Sequence, residues 1–364
     1  MSVTMEIVST TLASNNEEII GDALRSVVDW VDRCIVVDTG ASDRTLDVAR
    51  EVAGDKLIVR SFPWVDDFSA ARNFALDAAA EAHGTWAVTV DTDERIELGG
   101  MDIRAALRAS TKGMLLAEAE AGHYAKPRFV RLPSATRWRG PTHESLAPGP
   151  GGNEVIDTVF FRELPKDAET ARRKFQRDLA ILTDHTNQHP HEPRWQYYLG
   201  ETLYRLGRTA EAIEAFGRCS ELRGWNEESA WACYRSAVCQ LGLGDLSGAI
   251  DSCVAGMARH AGLAELPWLA GLCSHRLGRH AQAVYWSRLA TTWGEYRGER
   301  QPSLRIGFRH MPGLYEGPYD VLRFALRKLG DHERADQADI EYRVALRTRW
   351  QRRARPRPAA RSPS

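Results

Sequence analysis

The sequence lacks three features that would point to a membrane or to an oxidising compartment. No stretch approaches about 18 consecutive apolar residues, and the N-terminus has no basic segment followed by an apolar one. None of the six cysteines belongs to a C-x-x-C pair, and five of them lie between Cys219 and Cys273 in helical-looking sequence. We therefore predict a cytoplasmic protein without a transmembrane segment, whose cysteines are reduced core residues rather than zinc ligands or disulfides.

An excess of one charge is also absent, since 48 Lys and Arg face 49 Asp and Glu. This balance argues against general binding to nucleic acid or to an anionic membrane. The exception is the segment 347–364, which carries seven arginines and three prolines and is predicted to be a disordered basic tail. With 364 residues, 43% of them hydrophobic, the chain is long enough for two domains with their own cores.

Residues 1–164 alternate strand-like and helix-like segments. This alternation predicts βαβ units and a largely parallel sheet. Ser14 stands three residues before Glu17, a capping-box spacing that predicts a helix start there. Beyond residue 112 the strand-like runs follow one another without obvious helices, which favours an antiparallel extension of the sheet. The predicted strands are residues 5–13, 33–38, 56–62, 85–90, 113–121, 127–132 and 155–161, and the later predicted helices are 42–53 and 67–82.

Residues 165–346 are nearly all helix-like and contain a repeat. A glycine is followed five positions later by an alanine four times, and the alanines are 37, 34 and 52 residues apart. The first two intervals match the tetratricopeptide period of about 34, and the third leaves room for an insertion at 295–317. Glycine permits the turn between two helices, and small residues let those helices approach closely. The repeated pairs are Gly207–Ala212, Gly244–Ala249, Gly278–Ala283 and Gly330–Ala335.

Polar residues follow each of the first four predicted strands. In an open parallel sheet, ligands bind beyond the carboxyl ends of the strands, so these residues should meet at one edge. The fourth strand is the clearest case, because the apolar stretch TWAVTV leads directly into the acidic sequence DTDE. Three carboxylates at the edge of a core would repel one another unless a cation or a ligand compensates.

Four motifs in order resemble family 2 glycosyltransferases of the GT-A fold. They are VVDTGASDRT (36–45), FPWVDDFSAARN (62–73), VDTDE (90–94) and WRGPTHESL (138–146). The resemblance is closest to a bacterial branch with tetratricopeptide repeats after the catalytic domain, and it reaches about residue 345. It implies an α/β GT-A domain with a Rossmann-like, mainly parallel sheet, followed by an all-α tetratricopeptide-repeat domain. Two departures are Ala41-Ser42 where the family usually has Ser-Thr, and Asn15 where a lysine often precedes Asn-Glu.

The resemblance also implies a nucleotide-sugar donor, probably a UDP-sugar, and assigns residues to it. Asp38 would accept a hydrogen bond from the base, and Asp91 would face the ribose. Arg72 would lie near the nucleotide and support the base or the diphosphate. Glu17 belongs to the same donor site by its place after the first strand.

For the reaction itself, the resemblance implies a divalent cation, Mg²⁺ or Mn²⁺, bound by Asp93, with His143 near the metal or the diphosphate. Such cations prefer carboxylate and phosphate oxygens and neutralise a departing diphosphate. Inversion at the anomeric carbon also requires a base. Glu144 is the first candidate for that base, and Glu94 is the second.

The leading hypothesis is therefore an inverting, metal-dependent glycosyltransferase. Its acceptor could be a protein or peptide held by the repeat domain, a saccharide or a lipid-linked molecule, and the repeats could equally hold a second copy in a homo-oligomer. The alternative is a tetratricopeptide adaptor whose N-terminal domain binds a nucleotide sugar without turning it over. A nucleotidyltransferase is disfavoured, because residues 10–18 (TTLASNNEE) are neither glycine-rich nor basic.

Overall fold

A computed structural model describes residues 5–120, 124–147, 151–296 and 307–353. The chain divides into two compact units, of which unit 1 ends at Ala171 and unit 2 begins at Arg172. The boundary drawn from the sequence, between residues 164 and 165, lies close to this division. Each unit has its own core and is described separately below.

Unit 1 is built on an eight-stranded sheet in the order β3-β2-β1-β4-β7-β6-β10-β5. Strands β1 to β4 are parallel, as the alternating sequence predicts. The extension is mixed, because β7 is antiparallel to β4 and β6 whereas β10 is parallel to β6 and antiparallel to β5. The strands are β1 (Ile7–Ala13), β2 (Arg33–Asp38), β3 (Leu57–Ser61), β4 (Trp86–Thr89), β5 (Glu94–Glu97), β6 (Met114–Ala119), β7 (Ala125–Arg131) and β10 (Asn153–Glu163), with a separate pair, β8 (Trp138–Arg139) and β9 (Ser145–Leu146).

Both faces of the parallel strands are buried, because successive side chains of a strand point to opposite faces. In β1, Ile7 belongs to the core on one face and Val8 to the core on the other. Helices α1 (Ile20–Arg25), α2 (Thr45–Ala53) and α4 (Ile103–Ala109) cover the first face, and α3 (Phe68–Glu81) covers the second. Unit 1 is thus a three-layer α/β structure, in agreement with the expected fold class.

The capping-box prediction at Ser14 is wrong, since the first helix begins only at Ile20. Glu17, the expected partner of Ser14 in the capping box, instead bonds to the loop that follows β2. The Glu17 carboxylate accepts the backbone N–H of Arg44 at 2.9 Å, and the Glu17 N–H donates to Asp43 at 3.1 Å. Polar side chains such as these can bond to backbone N–H groups of a neighbouring loop instead of capping a helix nearby in the sequence.

Unit 2 consists of helix pairs, and the repeated glycines lie at the turn of each pair. Their φ angles are +77°, +81°, +73° and +78°, a region that favours glycine, and each partner alanine is fully buried. The four predicted pairs are therefore confirmed. The helices are α5 (Ala168–Gln188), α6 (Pro193–Arg205), α7 (Thr209–Glu221), α8 (Asn226–Gly242), α9 (Leu246–Arg259), α10 (Glu265–Arg276), α11 (His280–Trp293), α12 (Met311–Leu314), α13 (Gly317–Lys328) and α14 (His332–Arg353).

Three further expectations can be compared with the structure. All six cysteines are buried and none forms a disulfide, which confirms their role as core residues. Helix α14 continues to Arg353, so residues 347–353 of the expected disordered tail are helical, and 354–364 lie outside the described residues. In the described part of the chain, no helix combines the length and the apolar character needed to cross a membrane.

Candidate functional site

The loops after β1 and β2 are joined by side chains at the carboxyl edge of the parallel strands. Asp38 ends β2, and its Oδ1 accepts the backbone N–H groups of Gly40 at 2.9 Å and Ala41 at 2.7 Å. Asn15, after β1, accepts the N–H of Ser42 at 2.8 Å, next to the contact that Glu17 makes with Arg44. Glu17 and Asp38 thus lie at the expected edge, where they shape the loops through backbone contacts.

Arg72 is the centre of the candidate site. Its Nη2 donates to Asp91 Oδ1 at 2.8 Å, and its Nε donates to Glu144 Oε1 at 2.5 Å. The guanidinium carbon lies 5.3 Å from the centre of the Trp138 ring. Helix α3, which carries Arg72, begins at Phe68 and is capped by Asp67, whose side chain accepts the N–H of Ala70. The structure therefore brings together three of the residues predicted from the sequence, from three distant motifs.

These contacts keep the central ion pair charged. Burial alone would raise the pKa of Asp91, but the positive charges of Arg72 and Arg128 outweigh it and hold that pKa far below its ordinary value. Burial likewise opposes the charge on Arg72, and the carboxylates of Asp91 and Glu144 raise its pKa above the ordinary value. Arg72 is thus a permanent cation beside the end of β4.

Two basic residues that the sequence reasoning missed complete this cluster. Arg128 donates to Glu94 and also lies 3.4 Å from Asp91 Oδ2, and Lys126 Nζ lies 3.0 Å from Glu94 Oε1. Lys126 and Arg128 lie on β7 next to a shift in its register with β6, and both side chains reach Glu94. The spacing Lys-x-Arg within a strand-like run was the available signal.

The two carboxylates considered as bases have different surroundings. Glu94 is the first residue of β5 and its side chain is only 1% exposed, enclosed by Arg128 and Lys126. Glu144 lies in the turn between β8 and β9, with a side chain 13% exposed and one oxygen bound to Arg72. Of the two, Glu144 is the more accessible to a substrate.

Asp93 and His143, the predicted metal-binding residues, lie in separate loops of unit 1. Lys166 Nζ is 2.6 Å from Asp93 Oδ2, and this contact raises the pKa of Lys166 although burial opposes it. His143 is half-buried and has a φ of +50°. Among the described residues, no three or more His, Cys, Asp and Glu side chains are grouped as a protein-only metal cage. Mg²⁺ needs no such cage when substrate phosphates supply further oxygens, and the partly exposed Asp93 carboxylate fits that mode of binding.

Residues 11–99, which run from the end of β1 through β5 and include the acidic edge, match the model for glycosyl transferase family 2. Unit 1 contains a family 2 glycosyltransferase domain. The helix pairs that follow are of the tetratricopeptide type, so the combination implied by the motifs is confirmed. The match includes Glu17, Asp38, Arg72, Asp91 and Asp93, whose individual roles stay predictions.

Known proteins are similar to parts of this chain. A TPR repeat-containing protein of Synechococcus elongatus is 38% identical over 140 residues, or 36% of this chain and 33% of that protein. The SPbeta prophage-derived glycosyltransferase SunS of Bacillus subtilis is 24% identical over 226 residues, or 58% of this chain and 53% of that protein. A crystal structure of MamA shares 17% identity and a TM-score of 0.39, covering 52% of this chain and 98% of that one. The chain thus matches a third to about half of the length of its curated relatives.

Proposed function

We propose that this protein is an inverting glycosyltransferase that transfers a sugar from a nucleotide-sugar donor, a UDP-sugar in the first instance. The observation that carries the proposal is the convergence of Arg72, Asp91 and Glu144 at the carboxyl edge of the family 2 domain. Ligands of open α/β sheets bind at this edge. A permanent cation that holds two carboxylates in place there provides an ordered, charged site for a donor.

The basic residues of this site suit the leaving group. A nucleoside diphosphate gains negative charge as the sugar departs, and fixed cations aimed at that charge stabilise the transition state. Arg72 and Lys166 are proposed to approach the diphosphate, while Arg128 and Lys126 hold Glu94 and Asp91 in position. Asp38 and Asp91 are proposed to bind the base and the ribose, with Glu17 holding the adjoining loop.

A divalent cation, Mg²⁺ or Mn²⁺, is proposed to be held by Asp93, with His143 close to it or to the diphosphate. When bound, it would neutralise charge on the diphosphate. Lys166 now contacts one oxygen of Asp93, so its ammonium group must share or yield that carboxylate when the cation binds.

Glu144 is proposed as the base that takes the proton of the acceptor. Arg72 contacts its Oε1 and orients the carboxylate, which leaves Oε2 as the oxygen proposed to accept the proton. Glu94 is proposed to be a positioning residue, because its enclosure by two cations keeps an acceptor away from it. The acceptor is a protein or peptide, a saccharide or a lipid-linked molecule, and unit 2 is proposed to hold it or a second copy of the chain.

The decisive experiment measures nucleotide release from a panel of nucleotide sugars with and without Mn²⁺. The wild-type protein should release nucleotide from at least one donor, and Asp93→Ala should lose most of that activity while keeping its far-ultraviolet circular dichroism. Glu144→Gln should lower turnover by about 10²-fold or more if it is the base. Asp66→Asn serves as a control, because Asp66 lies outside the ion cluster and bonds only to Trp64 in the described structure. Full turnover by Asp93→Ala in a chelator would contradict metal dependence.

One observation favours a second function, an adaptor that binds nucleotide sugar without turnover. Asp91, Asp93, Glu94 and Glu144 each already pair with a cation of the protein. A site neutralised in this way could bind a nucleotide without a metal. Tight nucleotide binding by calorimetry, with no release of nucleotide from any donor, would support the adaptor over the enzyme.

A further inference from the structure

Residues 308–310 of the insertion between the third and fourth helix pairs lie against the first helix of each of three helix pairs. The Phe308 ring is 5.3 Å from the Tyr197 ring of α6 and 6.1 Å from the Trp231 ring of α8, nearly parallel to the latter. The His310 ring stacks on Trp268 of α10 at 4.7 Å, with 17° between the planes. We call Phe308–His310 the resident segment, and Tyr197, Trp231 and Trp268 the aromatic row.

The aromatic row forms a continuous surface. Helix α6 contacts α8, and α8 contacts α10, so the first helices of three consecutive pairs are neighbours. Stacked helix pairs use such surfaces to bind extended segments. The resident segment has no helical or strand structure, and His310 is extended, with φ −112° and ψ 96°. A segment of the chain thus occupies the surface in the way an extended peptide would.

Polar contacts add directional recognition. The His310 N–H donates to Glu265 Oε1 at 3.1 Å, and Arg309 Nε lies 3.8 Å from Glu295 Oε1. Glu265 is fully buried, yet its Oε2 has no hydrogen-bond partner in the part of the chain described, and the same holds for Arg309 Nη2. Buried polar groups are normally hydrogen-bonded, so the resident segment satisfies this surface only partly.

We propose that the aromatic row is a peptide-binding surface whose resident segment is a built-in competitor. The peptide that fits has an aromatic residue followed by a cationic residue. The aromatic residue would pack on Tyr197 and Trp231, and the cationic residue would pair with Glu295. Glu265 would bind the backbone N–H of the residue after these two. This surface belongs to unit 2 alone, and its occupation does not depend on sugar transfer by unit 1.

Competition from the same chain lowers the apparent affinity for a free peptide. The peptide binds only during the fraction of time in which the surface is open, and a tethered segment competes at a high effective concentration. Weakening the resident segment should therefore tighten binding of a free peptide without any change to the surface itself. A structural strut with no binding role would not behave in this way.

The test uses a fluorescent peptide with the sequence GFRHMPG, residues 307–313 of the chain. Its binding to the full-length wild type, Phe308→Ala and Arg309→Ala is measured by fluorescence anisotropy. Both substitutions alter the resident segment and leave the aromatic row, Glu265 and Glu295 intact. We expect about tenfold tighter binding or more for Phe308→Ala and a smaller gain for Arg309→Ala.

Two controls separate the possible results. A peptide with alanine in place of its phenylalanine should bind none of the three proteins well, and a scrambled peptide should not reproduce the gain. If Phe308→Ala no longer melts cooperatively, the comparison rests on Arg309→Ala, which leaves the ring contacts of Phe308 and His310 in place. Equal peptide binding by the wild type and a folded variant, or equal binding of the scrambled peptide, overturns the proposal.

Discussion

Units 1 and 2 each contain a buried carboxylate, and the two differ in the partners that surround them. In unit 1, Glu94 is enclosed by Arg128 and Lys126, so its charge is compensated by charge. In unit 2, Glu265 is equally buried, but its Oε1 accepts the backbone N–H of His310 instead of a buried cation, and burial raises its pKa. A buried carboxylate that is paired with cations holds its site in one arrangement. A buried carboxylate with few hydrogen-bond partners becomes more stable when it gains a proton or binds a better ligand. The difference accords with the two proposals, a fixed catalytic edge in unit 1 and an exchangeable peptide in unit 2.

The largest effect is expected when one of the two cations that enclose Glu94 in unit 1 is removed. Arg128→Met should destabilise unit 1 by about 3 kcal/mol or more, because it leaves the Glu94 carboxylate buried beside a single remaining cation. Urea unfolding of the full chain, followed by circular dichroism, measures the change. The matched control is Arg162→Met, whose ion pair with Glu97 is about half exposed and should contribute less than about 1 kcal/mol. Equal effects of the two substitutions would contradict the assignment of Glu94 and Arg128 as a buried unit.

The predictability of the two units differs for a related reason. The helix pairs of unit 2 follow from local spacing, because a glycine turn and a small residue act between adjacent helices. The four parallel strands of unit 1 also follow from local pattern, and with them the positions of Asp38 and Asp91. By contrast, the contact of Arg128 with Glu94 depends on β7 pairing with β4 and on the short polar strand β5, which no local pattern reveals.

The same limit explains what sequence reasoning missed in unit 2. The long interval between the third and fourth repeats indicates the insertion at 295–317. The stacking of Phe308 on Trp231 is a contact between residues far apart in the sequence, and no periodic pattern in the sequence predicts it. Both missed features are therefore long-range, although one is ionic and the other aromatic.

A smaller effect tests the expectation that small residues let the two helices of a pair approach closely. A Cβ added at Gly200 would lie 2.7 Å from the Phe216 ring, a distance that forces α6 and α7 apart. Gly200→Ala should therefore destabilise unit 2 by about 1–3 kcal/mol. Gly217→Ala is the matched control within α7, because nothing lies within 4 Å of its added Cβ, and it should stabilise by up to about 1 kcal/mol. Thermal unfolding measures the change in stability of both variants. Changes of the same sign in the two variants would argue against close packing as the role of Gly200.

The smallest expected effect concerns Glu265 and pH. Because burial raises its pKa, the folded state binds a proton more readily than the unfolded state, so the stability from this group is full at low pH and is lost as pH rises through the raised pKa. Glu265→Gln keeps an acceptor for His310 but cannot ionise. Its stability relative to the wild type should therefore increase with pH from about 4 upward, by about 1 kcal/mol.

The other titratable groups at this contact decide how the measurement is read. His310 has a lowered pKa because it is buried, and Arg309 and Glu295 are charged neighbours of Glu265. All three groups are present in both proteins, so their own contributions to stability largely cancel in the difference between the Gln variant and the wild type. Urea unfolding at several pH values yields that difference directly. A difference independent of pH would mean that Glu265 is compensated as fully as Glu94, and the contrast between the two units would then rest on the aromatic contacts alone.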